Sequence, residues 1–342
     1  MKVLSFSGLK TLQAHHVRLV SALTPARLWN LLILNTSYLF SVILKKPFHR
    51  GRPYAVSLEP TTACNLKCPE CPTGAGILKR QGGSLDLKHF EMILSKLPHQ
   101  TFYLTLYFQG EPYLNRHFFN MVKLAKEKRM FVSTSTNGHF LDGESARNTI
   151  KSGLDKIILS LDGADAQTYL NYRRGGDFNK VIAGIRILVR LRKEMRRLRP
   201  LIEIQFLVFK QNEDQLARMK KLCRKLGADV LSFKTAQHYD FVQGNPYMTS
   251  VEKYSRYRKT QSGGFELKNK LRNRCKRMWS SCVITWDGEM TPCCYDKDAT
   301  HGYGNLLQHD FEELWKGSEA VRFRRSVLSS RNQIAICCNC HE

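Results

Sequence analysis

Between residues 54 and 236, six strand-like runs alternate with helix-period segments, and few architectures accept that rhythm. The runs are YAVSLEP (54–60), FYLTLYF (102–108), FVSTST (131–136), KIILSL (156–161), IEIQFLVF (202–209) and DVLSFKTA (229–236). Between them stand LKHFEMILSKL (87–97), RHFFNMVKLAKEKR (116–129), ESARNTIKS (144–152), FNKVIAGIRILVRLRKEMRRL (178–198) and EDQLARMKKLCRKLG (213–227), each with apolar residues at helical spacing. Asn137-Gly138, Gly153 and Gly227 fall where elements should end. Strands that alternate with helices pair in parallel through helical crossovers, so the expected class is α/β, as an open or closed barrel. Ligand sites in such folds lie at the C-terminal ends of the strands.

The remaining chain divides around this block. Residues 1–52 form a basic arm: the first acidic residue is Glu59, preceded by Lys2, Lys10, Arg18, Arg27, Lys45, Lys46, Arg50 and Arg52. Within the arm, 28–44 (LWNLLILNTSYLFSVIL) is strongly apolar but interrupted by Asn30, Asn35, Thr36, Ser37 and Ser41. It is shorter than the roughly 20 residues a spanning helix needs. With Lys45, Lys46 and Arg50 beside it, this helix can lie in a membrane interface or pack on the main domain, and the sequence favours neither. Residues 53–249 are expected to form the core domain. The segment 250–274, rich in Lys, Arg, Ser and Gly, reads as a linker. Residues 275–342 hold most of the eleven cysteines and read as a small domain stapled by a metal cluster.

Charge and cysteine usage narrow the function classes. Lys and Arg number 54 against 29 Asp and Glu, for a net charge of +25. Such a field favours phosphorylated or polyanionic partners, an anionic membrane surface, or simply an anionic cofactor. The cysteines fall in tight groups, and the first residues lack a compact apolar run ending in a small-residue cleavage site. Both point to metal or cluster ligation in a reducing compartment. The expected location is cytoplasmic, with peripheral attachment at the inner membrane face as an option. Nucleic acid is disfavoured as a partner, since no recognised module is present and the basic residues spread over several elements. A non-catalytic iron–sulfur or zinc protein that binds nucleic acid is therefore the weaker alternative.

Immediately after the first strand stands TTACNLKCPECPTG, with Cys64, Cys68 and Cys71 in a C-x3-C-x2-C spacing. Three thiolates on one loop can ligate three corners of a cubane and leave the fourth iron open. Zinc would ask for a fourth ligand nearby, and none stands in the loop. This spacing, in this place after the first of a series of βα units, resembles the signature of the radical S-adenosylmethionine (SAM) superfamily. The resemblance implies a partial (β/α)6 barrel and a SAM-binding 4Fe-4S cluster on Cys64, Cys68 and Cys71. It further implies reductive cleavage of SAM to methionine and a 5′-deoxyadenosyl radical, which abstracts hydrogen from substrate. Glu70 departs from the family pattern, which has an aromatic residue before the third cysteine.

The same resemblance assigns SAM contacts at the strand ends. Gln109, Gly110, Glu111 and Pro112 resemble the family's GGEP motif, with Gln109 in place of its first glycine; the motif accepts hydrogen bonds from the methionine amino group. As a bare sequence, GEP is also an ordinary turn. Thr134, Thr136 and Asn137 in STSTNG are candidates to line the adenosyl pocket, although Asn-Gly is equally a turn. Ser160 and Asp162 in LSLDG resemble the ribose-binding position. In YRRGGDF, Arg173, or else Arg174, is the counterpart of an arginine that pairs with the SAM carboxylate, for which a bidentate guanidinium is suited.

The tail reads CKRMWSSCVITWDGEMTPCCYD, then GNLLQHDFEELWKG, then ICCNCHE. It resembles the SPASM/twitch extension of many radical SAM enzymes. Cys275, Cys293, Cys337 and Cys340 would complete one auxiliary 4Fe-4S cluster, making two clusters in all. Cys282, Cys294 and Cys338 stand as alternates, and a zinc ribbon is the competing use of such cysteines. Cys223, alone in a helix, reads as a buried hydrophobe. A fully ligated auxiliary cluster cannot bind substrate, so an electron conduit is the expected role. The resemblance spans about residues 53–342. It implies a reductant such as flavodoxin or ferredoxin, and a substrate that is a peptide or protein side chain or a small molecule. The basic arm and the run from Arg190 to Arg199 point to a membrane-associated or phosphorylated substrate. His238, Tyr239 and Asp240, after the sixth strand, are candidates to face it.

Overall fold

The computed structural model describes residues 2–6 and 9–340. The arm begins with a strand β1 (Lys2–Ser5) and two helices, α1 (Leu9–Ser21) and α2 (Pro25–Leu44). Thr24 opens α2 by accepting a hydrogen bond from Arg27 N, and Pro25 occupies the first turn, where no N–H is needed. The βα series follows as β2 (Ala55–Leu58), α3 (Leu87–Lys96), β3 (Tyr103–Leu106), α4 (Phe118–Glu127), β4 (Phe131–Thr136) and α5 (Gly143–Lys151). It continues with β5 (Lys156–Ser160), α6 (Ala166–Tyr172), α7 (Phe178–Glu194), β6 (Leu201–Val208), α8 (Leu216–Leu226) and β7 (Val230–Thr235). Helix starts are fixed by side chains. Asp86, Asp142, Asp165 and Asp177 each accept from a backbone N–H three residues on, and acids at these ends also meet the positive pole of the helix.

Strands β2 to β7 pair in parallel in sequence order, which confirms the six expected strands and the α/β class. Their side chains alternate between two environments. Leu104, Leu106, Val132, Ile157, Leu159, Ile204 and Phe206 are buried in the main core, against the covering helices. On the opposite face Thr105, Ser135, Ile158, Ser160, Gln205 and Leu207 line one common cavity. Side chains from successive strands meet in one cavity only if the sheet curves into a partial barrel.

Both edges of the barrel sheet are covered. β1 pairs antiparallel with β7, an edge strand the sequence reading did not foresee. At the other edge, past a segment 250–274 that holds a small hairpin of β8 (Tyr257–Lys259) and β9 (Phe265–Leu267), the chain reaches α9 (Arg277–Ser280) and β10 (Ser281–Ile284). β10 pairs in parallel with β2, from Ser281 opposite Ala55 to Ile284 opposite Leu58. Asp287-Gly288 turns β10 into β11 (Glu289–Thr291), which pairs with β12 (Gly304–Asn305). The segment read as a linker is thus partly structured, and the cysteine-rich region extends the barrel sheet. Two helices, α10 (Phe311–Lys316) and α11 (Ser318–Ser330), pack beneath it. There Arg324 is wholly buried. It donates to Met278 O and Trp315 O and stacks on the Trp315 ring.

Candidate active site

Cys64, Cys68 and Cys71 lie in the loop after β2 and line a cavity of about 330 Å³ at the C-terminal ends of the strands. The loop is held from several sides. Lys67 N donates to Arg174 O, and Thr73 Oγ1 donates to Gln109 Oε1. Gly110 is indispensable locally: its φ is +71°, and a Cβ there would stand 2.3 Å from Thr61 O, within the strand-to-loop crossing. The thiols are covered enough that burial pushes Cys64 up to about 11 and raises Cys68, with Arg173 opposing at Cys68. Arg173 Nη1 lies 3.8 Å from Cys68 Sγ. A bound metal cluster reverses this balance, because coordination deprotonates the thiol.

The GEP segment packs against the start of the same loop, where Glu111 N donates to Ala63 O at 2.7 Å. Glu111 is buried, and its carboxylate accepts from Thr136 Oγ1 at 2.6 Å, Asn137 N at 2.7 Å and Tyr113 N at 3.2 Å. Burial nevertheless pushes its pKa up to about 7. The cavity therefore presents a dehydrated acceptor that a bound amino group would satisfy. Gln109, Gly110, Thr134, Thr136, Asn137, Ser160 and Arg173 line the same cavity. Asn137 Nδ2 reaches Asn65 Oδ1 at 2.8 Å, tying the end of β4 to the cysteine loop.

Two expected site residues are placed differently. Pro112 is buried in a short 3-10 turn behind Glu111 and does not line the cavity. Asp162, expected at the ribose, is wholly buried and engaged elsewhere: Oδ2 takes Arg173 Nε at 2.6 Å, and Oδ1 takes Leu207 N at 2.7 Å. Arg174 lies outside the cavity, with Nη2 on the Tyr247 hydroxyl. Of the two arginines, Arg173 is the one inside.

Glu70, the departure from the family pattern, has a definite structural use. It accepts from Asn245 Nδ2 at 2.9 Å and lies 3.3 Å from His238 Nδ1, so it pins the segment after β7 to the cysteine loop. Tyr239 from that segment lines the cavity, whereas His238 is buried beside it. Sequence reading did not single out Glu59, Tyr107, Gln205 or Lys297. Glu59 is buried and holds Arg80 through two bonds of 2.5 and 2.7 Å, while accepting Gln109 N and Trp286 N. Tyr107, Gln205 and Lys297 line the cavity, the last from the C-terminal region. Inward alternation along β3 and β6 was the available signal for Tyr107 and Gln205; for Lys297 there was none.

At the second cysteine group, Cys275, Cys293, Cys337 and Cys340 converge on one small cleft with Arg331 and Tyr295. Burial pushes Cys337 up to about 11 and raises Cys293 well above the usual thiol range. Arg331 is itself buried and donates to Cys340 Sγ at 3.3 Å. Four dehydrated thiols beside a guanidinium suit an anionic thiolate cluster. The alternates point elsewhere. Cys338 is exposed and donates to Asn332 O, Cys294 takes Arg277 Nη1, and Cys282 is a core residue of β10. Cys223 is buried in α8 with Sγ 3.7 Å from Met219 Sδ.

Comparison with known proteins fits this geometry. Residues 58–223 match the model of the radical SAM superfamily, and residues 275–341 match that of the SPASM iron–sulfur cluster-binding domain. The chain is 24% identical to the AdoMet-dependent heme synthase of Methanosarcina barkeri, over 83% of this chain and 88% of that one. It is 27% identical to the mycofactocin maturase MftC of Mycobacterium tuberculosis, over 84% of this chain and 77% of that one. The fold resembles Streptococcus suis SuiB bound to the precursor peptide SuiA, with a TM-score of 0.62 at 14% identity over 84% and 71% of the two chains. With these matches, the chain belongs to the radical SAM superfamily as an enzyme dependent on SAM and iron–sulfur clusters, with a C-terminal SPASM domain.

Proposed function

We propose that the chain oxidises a substrate bearing an anionic group, either a peptide side chain near a carboxylate or a phosphorylated small molecule. Cys64, Cys68 and Cys71 hold the cluster that binds SAM, and Cys275, Cys293, Cys337 and Cys340 hold one auxiliary 4Fe-4S cluster. When bound, these clusters would supply one-electron chemistry: reductive cleavage of SAM to methionine and a hydrogen-abstracting 5′-deoxyadenosyl radical at the first site, and acceptance of an electron at the second. Glu111 receives the SAM amino group, and Arg173, steadied by Asp162, faces its carboxylate. Gln109 and Asn137 brace the cysteine loop so that SAM meets it in one orientation. Tyr107, Gln205 and Tyr239 form the wall left for substrate. Lys297 carries the substrate assignment: it lines the cavity with its ammonium 5.0 Å from the Phe108 ring centroid, a cation placed for an anionic group. A reductant such as flavodoxin or ferredoxin feeds the enzyme in a reducing cytoplasm.

Anaerobic reconstitution followed by dithionite and SAM is expected to release 5′-deoxyadenosine, with about eight irons per chain. Absence of the nucleoside, or equal yield from Cys64→Ala, overturns the reaction. Lys297→Met is expected to spare this substrate-free cleavage and to weaken inhibition by acidic peptides or sugar phosphates; unchanged inhibition by both overturns the substrate assignment.

A further inference from the structure

Helix α2 is inside out for a soluble protein. Its buried stripe is Arg27, Asn30, Leu34, Ser37 and Ser41, mostly polar, while Leu28, Trp29, Leu32, Leu39, Phe40 and Ile43 are each more than half exposed. Ordinary amphipathic helices do the reverse. Contiguous exposed apolar surface of this kind marks an interaction site.

The buried stripe explains why the helix stays put. Asn30 exchanges two 2.9 Å hydrogen bonds with the Arg52 backbone. Ser37 Oγ donates to Phe48 O and accepts from Arg50 N, and Ser41 bonds both backbone groups of Phe48. Arg27 donates to His99 O and Ala22 O. These bonds fix α2 against the body below the N-terminal ends of β2 and β3, away from the cavity. α2 is long and apolar enough to cross a membrane. Spanning would tear its polar stripe from these partners and leave it in hydrocarbon.

The outward face is equally specific in what it lacks. Its two polar residues turn inward on the helix itself: Asn35 Nδ2 donates to Leu31 O, and Thr36 Oγ1 to Leu32 O. Nothing on this face offers the satisfied polar contacts typical of a protein interface. Immediately beyond it stand exposed Lys45, Lys46 and Arg50, in a stretch without an acid before Glu59. An apolar helix face rimmed by cations complements an anionic lipid surface. We infer that α2 seats the enzyme, as a monotopic protein, on an anionic phospholipid bilayer. The active-site mouth, at the opposite ends of the strands, then opens toward water. This inference stands whether or not the reaction proposed above is right.

The test is vesicle flotation of the reconstituted full-length holoenzyme. Wild type is expected to float with phosphatidylcholine vesicles containing phosphatidylglycerol, and more weakly with phosphatidylcholine alone. Trp29→Glu combined with Phe40→Glu is expected to lower affinity at least about tenfold while leaving 5′-deoxyadenosine formation intact. Lys45→Glu with Lys46→Glu is expected to abolish the preference for the anionic lipid. Four results overturn the inference: no flotation of wild type, unchanged flotation of the apolar-face variant, retention after alkaline carbonate washing, which marks a spanning helix, or a lipid-free dimer that the Trp29/Phe40 variant dissociates.

Discussion

Asp162 Oδ2 stands 2.5 Å from Arg173 Nη2, in an ion pair buried behind the cysteine loop. Burial raises the Asp162 carboxyl above its usual range, with the Arg173 guanidinium and the Leu207 N–H pulling against it. The sequence placed these two residues on different parts of SAM; the structure makes one the support of the other.

Asp162→Asn therefore strands a buried guanidinium beside Cys68. The expected loss is about 3 kcal/mol of stability, since removing one partner of a buried pair leaves its charge uncompensated. Urea unfolding measures it. SAM affinity, by calorimetry, is expected to fall in parallel; full affinity in this variant would show that Arg173 needs no support.

Glu111 predicts a pH dependence of SAM binding. Its pKa is raised to about 7, and only the ionised carboxylate is a full acceptor for the amino group. Affinity should rise with pH up to about 7 and level off above it, with roughly a tenfold fall per unit on the acid side. Glu111→Gln should bind at least about tenfold more weakly above neutrality and lose the slope. A slope that survives the substitution belongs to another group.

The auxiliary ligands predict an asymmetry between neighbouring cysteines. Cys337 lines the cleft and Cys338 faces solvent, so Cys337→Ala should lower bound iron from about eight to about four per chain, and Cys338→Ala should leave it unchanged. The same contrast is expected between Cys293 and Cys294. Iron and sulfide assays with the 400 nm absorbance decide both.

His49 predicts acid sensitivity of the fold. Burial, then Arg324 and Lys316, lower its pKa to about 2, and neither ring nitrogen has a partner among the described residues. The unfolded chain takes up a proton near pH 6.5 and the folded one does not. Below that pH stability falls as pH falls, by about 1.4 kcal/mol per unit from this residue. His49→Phe should flatten urea-unfolding stability between pH 6.5 and 5 by about that slope.

Much of this was legible in the sequence because it rests on local rules. Period-two runs, aspartate caps and glycine turns are written into adjacent residues, so the six strands and five expected helices stand near where the pattern put them, while the short α6 was not read and α7 ends at Glu194. The cysteine loop and Glu111 were equally plain. What escaped depends on contacts between distant segments. Glu59 gains its use only when Arg80 and Trp286 fold onto it, Glu70 only when His238 and Asn245 return across the loop, and Lys297 only when the C-terminal region closes the cavity. The apolar run in α2 was visible, but which of its faces points outward is decided by the hydrogen bonds of Ser37 and Ser41 to Phe48.

The parallel pairing of β2 with β10 has a mechanical meaning. Cys64 follows one of these strands and Cys293 follows the hairpin built on the other, so both cysteine groups hang from one hydrogen-bonded sheet. Hinged domains can open and close a gap between their redox centres; adjacent strands cannot slide without breaking their ladder. The two cysteine groups are thereby held at one fixed spacing by the sheet itself.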